Sequence, residues 1–398
     1  MRIIKSVSDL DMIKRSYNER MEKYDYRILI CGGAGCVSSN CGAVADAVRD
    51  ELVRLGMQDN VAVYDTGCMG TCAVGPVMLI LPERTFYTSL TPDIARKIVK
   101  SHCHDGRILI ENTFYDHSLN KHVPCIDDID FFKSQVKIAL RNCGVLENNS
   151  IDAYIARDGY YALAKVLSKN DRYRVIEEVK KSGLRGRGGA GFPTGIKWEA
   201  GYNAKSDRKF IICNADEGDP GAFMDRSIIE GDPHSVIEGM MISGYAIGAN
   251  MGYIYIRAEY PLALERLNFA ISEARKRGLL GTKLFGSDFE FDLEIRIGAG
   301  AFVCGEETSL MSSIEGKRGE PKQKPPFPFE KGLFGKPTII NNVESLASIP
   351  PIILNGGEWY AQYGTEKSKG TKVFALAGDI INTGIVEVPI GMPIGDIL

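Results

Sequence analysis

Several absences narrow the class of this 398-residue chain before any motif is considered. No apolar run approaches the ~18 residues of a membrane-spanning helix, which argues against direct membrane insertion. The opening residues 1–10 are too polar for a secretory signal, so a cytoplasmic location is expected. There is no excess of basic charge: Lys and Arg total 48 against 51 Asp and Glu, and the net charge of -3 with a pI near 6.1 argues against a nucleic-acid partner. Internal repeats and low-complexity runs are absent, and the main glycine-rich loop, which reads G-x-G-G-x-G over 186–191, has no G-K-[ST] ending. In the cytoplasm, the ten cysteines should be thiols, metal ligands or buried small side chains rather than disulfides. What remains is ordinary soluble composition, 44% hydrophobic and 25% charged, in a chain long enough for two or three domains.

Residues 1–25 carry a charged helical pattern and read as a leader that docks on something other than this chain. A first unit over residues 26–110 begins with a strand at 27–30 and a glycine-rich turn at 31–36. A helix follows whose stripe Val44, Val48, Leu52 and Leu55 stops at Gly56. Strands at 61–64 and 77–81 come next, then a helix with Thr91 as cap, Pro92 in its first turn and Gly106 as its stop. Residues 111–170 read as a linker and helical crossover, with Ser150 and Asp171 as caps of helices beginning at 151 and 172. Over residues 171–365, strands at 209–213, 253–258 and 293–297 alternate with helices at 234–247 and 261–276, the order of a mostly parallel α/β sheet. The proline-rich run 321–328 must be a loop. Residues 366–398 have a glycine-punctuated β pattern too short to bury a core, so the sequence is expected to stop inside a third domain.

Four cysteines in the first unit form two close pairs after predicted strands: Cys31 with Cys36, and Cys68 with Cys72. Both lie in glycine-rich turns, where backbone can bend around a compact inorganic object. The spacing suits a [2Fe-2S] cluster or zinc, and buried thiols remain the bland alternative. Cys41 is a fifth cysteine at the start of the predicted helix. Cys213 and Cys304 sit in apolar settings and read as packing residues.

The segment GLRGRGGAGFPTGIKW (residues 183–198) is the most informative stretch. Glycine admits positive φ and close approach of backbone amides to a ligand, and Arg187 and Lys197 offer charge for phosphate oxygens. CNADEGDPGAFMDR (213–226) follows a strand, where Asn214, Asp216 and Glu217 can bind polyol hydroxyls or a ring edge; a simple helix-capping acidic turn explains much of it as well. GAGAFVCGEETSL (298–310) places Glu306 and Glu307 after another glycine turn, either as ligand contacts or as first-turn helix residues. Asn341, Asn342 and Glu344 add a further polar group.

These three segments and KPTIINNVES (336–345), four motifs in order, resemble the NADH-binding flavoprotein subunit of respiratory complex I and its relatives in soluble NAD-linked hydrogenases and formate dehydrogenases. Residues 27–110 resemble the thioredoxin-like [2Fe-2S] module of that group. The fusion, with ICGGAGC (30–36) and RNCGVLENNSIDAYIARDGYYAL (141–163), is most similar to the beta subunit of soluble iron-iron hydrogenases, including electron-bifurcating ones. The resemblance implies an α/β chain: a thioredoxin-like [2Fe-2S] domain, a Rossmann-like FMN-binding domain and the start of a β-grasp domain. The family's C-x₂-C-x₂-C set for a [4Fe-4S] cluster does not occur, so that cluster is expected only in a region beyond Leu398.

By motif, the resemblance assigns the FMN phosphate region to Gly186, Arg187, Gly188, Gly189 and Lys197, and the ribityl chain and flavin edge to Asn214, Asp216, Glu217 and Gly218. Gly305, Glu306, Glu307, Asn341 and Asn342 line flavin and NADH, with Glu306 and Glu307 as the catalytic pair, and Phe192, Phe302 and Phe327 sandwich the dinucleotide. Phe302 and Gly218 depart from the family's usual tyrosine and serine. Cys31, Cys36, Cys68 and Cys72 become the cluster ligands, with Cys41 outside. The implied partners are a small [2Fe-2S] subunit and an iron-sulfur catalytic subunit, hydrogenase or formate dehydrogenase, with ferredoxin a further candidate. NAD(H) is favoured over its phosphorylated form.

Overall fold

In the computed structural model, which describes residues 3–397, the first sheet forms around β1 (Tyr26–Cys31), whose Ile28, Leu29 and Ile30 are buried. It pairs in parallel with β2 (Val61–Thr66) and antiparallel with β3 (Met78–Leu81), and β3 pairs with β4 (Thr85–Tyr87), giving the order β2-β1-β3-β4. Joining β1 to β2 in parallel demands a crossover, supplied by the helix Cys41–Leu55 with Val44, Val48 and Leu52 inward and Gly56 at φ 67° ending it. Thr91 caps the helix Pro92–Ile98, which widens into a π-helical turn to His104.

Residues 107–150, which carry few regular signals, contain the hairpin β5 (Phe114–Asp116) and β6 (Lys121–Val123). Strands of three residues are too short to show alternation. The turn is instead tied by Asp116, whose Oδ1 accepts from the amides of Ser118 and Leu119 at 2.8 and 3.1 Å. The amino-terminal helix Val7–Met21 packs against the helix Ile151–Ala156, and Leu10 and Ile13 share a core with Ile151 and Tyr154. The surface on which this leader docks therefore belongs to the chain itself.

The second sheet is wholly parallel: β7 (Phe210–Ala215), β8 (Met251–Arg257), β9 (Asp292–Gly298) and β10 (Thr338–Asn342) lie in the order β10-β7-β8-β9. Its inner strands β7 and β8 are apolar on both faces because both are covered, whereas the edge strand β9 turns Glu294 and Arg296 to the surface. Ile211, Cys213, Ile254, Leu293 and Ile339 point into one core, while Phe210, Ile212, Tyr253, Tyr255 and Ile340 point into another. An antiparallel hairpin of β11 (Thr371–Leu376) and β12 (Gly384–Pro389) follows. Among the described residues no helix is long and apolar enough to cross a membrane.

From β7 the chain moves one way across the sheet to β8 and β9, and then returns to place β10 on the other side of β7. The carboxyl ends of β7 and β10 thus flank a topological switch point, the crevice where open α/β sheets take ligands.

Candidate cofactor sites

At that crevice the glycine-rich loop closes on itself. Gly186 N donates to Phe192 O at 2.9 Å, Thr194 N to Leu184 O at 2.9 Å, and Arg185 Nε to Gly191 O at 2.7 Å. Two glycines in it have distinct reasons. A Cβ on Gly188 would stand 3.2 Å from that of Asn342 at the end of β10, whereas Gly189 has φ 105° and faces open space. Arg187 is turned inward: its amide donates to Ser345 Oγ at 2.9 Å, and its guanidinium to Lys369 O at 2.7 Å and Tyr360 Oη at 3.0 Å. Its Nε is buried without a partner.

The helix Thr194–Asn203 then carries Lys197 beneath the crevice, where Nζ donates to Ile340 O. Burial lowers this ammonium to about 8, with the charge of Glu307 opposing the shift. Trp198 is fully buried and holds Asn341 by Nε1 to Oδ1 at 3.1 Å.

The amides and carboxylates are knit together. Asn214 Nδ2 donates to Gly305 O at 2.9 Å and its Oδ1 accepts from Asp216 N at 3.1 Å. Asn342 Oδ1 accepts from Glu344 N at 2.9 Å, and its Nδ2 donates to Asp225. Asp216 lies 3.7 Å from Arg257; burial raises its carboxyl while Arg257 lowers it, and Oδ2 is buried without a partner. Glu217 accepts from the amides of Asp225 and Arg226 at 3.1 and 3.2 Å, so both its oxygens serve the first turn of the helix Met224–Gly231.

Glu306 likewise caps the helix Glu307–Ile314, accepting from Thr308 N at 2.8 Å and Ser309 N at 3.1 Å. Burial pushes its carboxyl up, but Thr308, Ser309 and Lys324 outweigh this and leave it below the usual range. Lys324 lies 3.2 Å from Glu306 and also pairs with Glu307. Sequence reasoning missed Lys324 because it stands in the proline-rich run, and nothing local indicates a partner 17 residues away. Asp225, whose partner Asn342 is 117 residues away, and Arg257, at the end of β8, carry no local signal of their partners either.

Phe192, Phe302 and Phe327 remain 49%, 66% and 45% exposed, each a large apolar surface able to stack on a flat ring. A Cβ on Gly218 would fall 2.7 Å from the ring of Phe302, so glycine there is what lets Phe302 lie over the loop. The crevice fits FMN: the open side of Gly189 and the Lys197 ammonium suit a phosphate, and the unpartnered Asp216 oxygen suits a hydroxyl.

In the first unit the paired cysteines converge. Cys31 lies against Cys36 and Cys68, whose thiols favour its thiolate and hold it well below the ordinary value, and Cys68 lies in turn against Cys72. Cys31, Cys36 and Cys68 are buried and Cys72 reaches the surface. Glycine permits the approach: a Cβ on Gly33 would be 3.0 Å from that of Cys68, and one on Gly75 3.1 Å from Cys36 Sγ. Cys41 hydrogen-bonds to none of the four, and burial pushes its thiol up to about 11. Cys213 and Cys304 lie in the two cores flanking the parallel sheet. Among the described residues no group of three or more His, Cys, Asp or Glu side chains is arranged to hold a metal ion. A two-iron cluster spreads its four thiolates around a larger object, and the pairwise contacts fit that object.

Residues 179–351 match the model of the Nuo51 FMN-binding domain, and residues 15–102 that of the thioredoxin-like [2Fe-2S] ferredoxin. The chain is 60% identical over 266 residues to the NADP-reducing hydrogenase subunit HndC of Solidesulfovibrio fructosivorans, covering 67% of this chain and 54% of that one. It is 37% identical over 378 residues to the NAD-reducing hydrogenase HoxS subunit alpha of Cupriavidus necator, covering 94% and 60% of the two chains. To an NADH-quinone oxidoreductase subunit of Aquifex aeolicus it is 50% identical over 250 residues, 63% and 58% of the two chains. In structure it resembles an NAD+-reducing [NiFe]-hydrogenase in the H2-reduced state, with 26% identity, a TM-score of 0.58 and coverage of 98% of this chain and 66% of that one. The chain spans 54% to 60% of the length of these three curated relatives.

Proposed function

From the chain's homology to the FMN-binding subunits of NADH-quinone oxidoreductases and NAD-linked hydrogenases, we propose that it is the diaphorase part of a soluble hydrogenase complex in the cytoplasm. It exchanges a hydride with NAD(H) and passes electrons singly to iron-sulfur clusters. What supports this reading is the end of the parallel sheet at the switch point, where Gly188 lies against Asn342 and Lys197 reaches Ile340 O on β10, in a chain that also brings four thiols together. FMN, when bound, supplies the exchange between two-electron and one-electron chemistry.

The chain's own residues position and select. Phe302 and Phe327 offer faces for stacking the nicotinamide dinucleotide, and Glu306 and Glu307, held by Lys324, orient its polar groups at the carboxyl end of the crevice. Hydride transfer needs no general acid or base there. Two carboxylates disfavour an added ribose phosphate, an effect that Lys324 partly offsets. Reduction by the two nicotinamide cofactors, compared side by side, tests the preference for NAD(H). The finer assignment is an iron-iron hydrogenase, electron-bifurcating, with a small [2Fe-2S] subunit and ferredoxin as further partners. Metal analysis of the copurifying catalytic subunit separates it from a [NiFe] hydrogenase or a molybdenum- or tungsten-containing formate dehydrogenase.

Purified protein is expected to carry FMN that NADH bleaches rapidly; an empty crevice that no nicotinamide cofactor can reduce sinks the enzyme reading. Glu307→Gln is expected to keep FMN and slow its reduction by about tenfold, a loss of ~1.4 kcal/mol of transition-state stabilisation. Stopped-flow rates equal to wild type at every NADH concentration count against Glu307, and loss of FMN reassigns it to the flavin.

Lys197 sets a pH dependence. The charged ammonium is the form that attracts phosphate, and a bound anion raises its pKa above the value of about 8 in the free crevice. FMN affinity should therefore be level below pH 8 and fall as pH rises past it, by up to about tenfold per unit until the complex itself loses the proton. Lys197→Ala should bind FMN more weakly and abolish this slope. An identical slope in wild type and variant, followed by flavin fluorescence, removes Lys197 from the phosphate site.

A further inference from the structure

The helix Met224–Gly231 has one end at the flavin crevice and the other against the cysteine loops. Its first turn carries Asp225, which receives the Asn342 amide, and is capped by Glu217. Its last turn carries Glu230, only 2% exposed, whose Oε2 accepts from Ala34 N at 3.0 Å, inside the loop between Cys31 and Cys36. Arg266, also buried, reaches in from the helix Pro261–Lys276, donates to Gly32 O at 2.7 Å and bonds Glu230 O. A Cβ on Gly67 would lie 2.2 Å from Gly231 Cα, so the chain leading into Cys68 rests directly on the end of this helix.

Arg226, one turn back, lies between the two sites. Its guanidinium stacks over the rings of Phe223 and Tyr260 at 5.7 and 5.2 Å, and its Nε stands 3.7 Å from Glu230 with no hydrogen-bond partner, although it is buried. Its positive charge favours the thiolate of Cys72, and the negative charge of Glu230 opposes it.

Resting on the reading that the four thiols hold a [2Fe-2S] cluster, we propose that Glu230 and Arg226 are positioning residues which set the cluster's reduction potential from the flavin domain. Glu230 and Arg266 fasten the first cysteine loop to that domain through its backbone. Reduction adds one negative charge to the cluster. A buried carboxylate beside it disfavours the reduced form, and a half-buried guanidinium favours it.

The test is an EPR-monitored redox titration of the full chain, with iron, sulfide and FMN measured on the same samples. Glu230→Gln should raise the midpoint potential and Arg226→Gln should lower it. Each shift is expected to change the ratio of reduced to oxidised cluster at fixed potential by roughly tenfold, about 59 mV for a one-electron couple. Loosened structure would move both variants the same way, so opposite signs mark the electrostatic role. Arg226 makes no hydrogen bond to a cysteine loop, so Arg226→Gln still decides the matter if Glu230→Gln fails to assemble. Unchanged potentials, or shifts of the same sign, overturn the proposal while leaving the cluster assignment intact. Wild-type protein without iron and sulfide takes down the cluster reading and this proposal with it.

Discussion

Cys68→Ser is expected to abolish the [2Fe-2S] cluster, taking iron and acid-labile sulfide from about two each per chain to near zero, while Cys41→Ser leaves both in place. Cys68 is the hub of the thiol group, in contact with both Cys31 and Cys72. A serine hydroxyl is a poor ligand for iron, and the buried position allows no other donor to replace it. Cys41 heads the helix Cys41–Leu55 and hydrogen-bonds to none of the four. FMN content should be untouched in both variants, because the flavin crevice lies in the other sheet. Cluster retention by Cys68→Ser with loss in Cys41→Ser refutes the ligand set, and stoichiometric zinc in wild type refutes the cluster.

Glu387→Ala should destabilise the chain by about 3–5 kcal/mol, the largest stability effect expected of any single change considered. Glu387, on β12, is wholly buried and accepts from the amides of Ile138, Ala139 and Leu140 at 2.8 to 2.9 Å and from Thr371 Oγ1. Burial raises its carboxyl and these donors lower it, so the cage is what makes a buried carboxylate tolerable. Alanine leaves the donors buried without an acceptor. Glu387→Gln should cost less, since one carbonyl oxygen remains. Urea denaturation measures the loss, and faster amide exchange at Ile138, Ala139 and Leu140 locates it; wild-type stability with unchanged exchange at those amides removes Glu387 from this role.

Period and spacing carried the sequence reading as far as local chemistry reaches. The apolar runs at 209–213 and 253–258, alternating with helices, point to parallel strands, and two cysteine pairs in glycine turns after strands point to a cluster or zinc site, with buried packing as the alternative. The glycine-rich loop marked its crevice because positive φ and missing side chains are written directly in residue type. Tertiary structure alone decided how charged groups are used. Glu217 gives both oxygens and Glu306 its Oε2 to helix amides; the Arg187 guanidinium reaches Tyr360 and Lys369; and Lys324 became the partner of the acidic pair. The hydrogen bonds of Glu230 to Ala34 and of Glu387 to Leu140 span 196 and 247 residues. Helical and strand periodicities relate residues only a few positions apart, whereas a buried charge takes whichever donor the packed units bring to it.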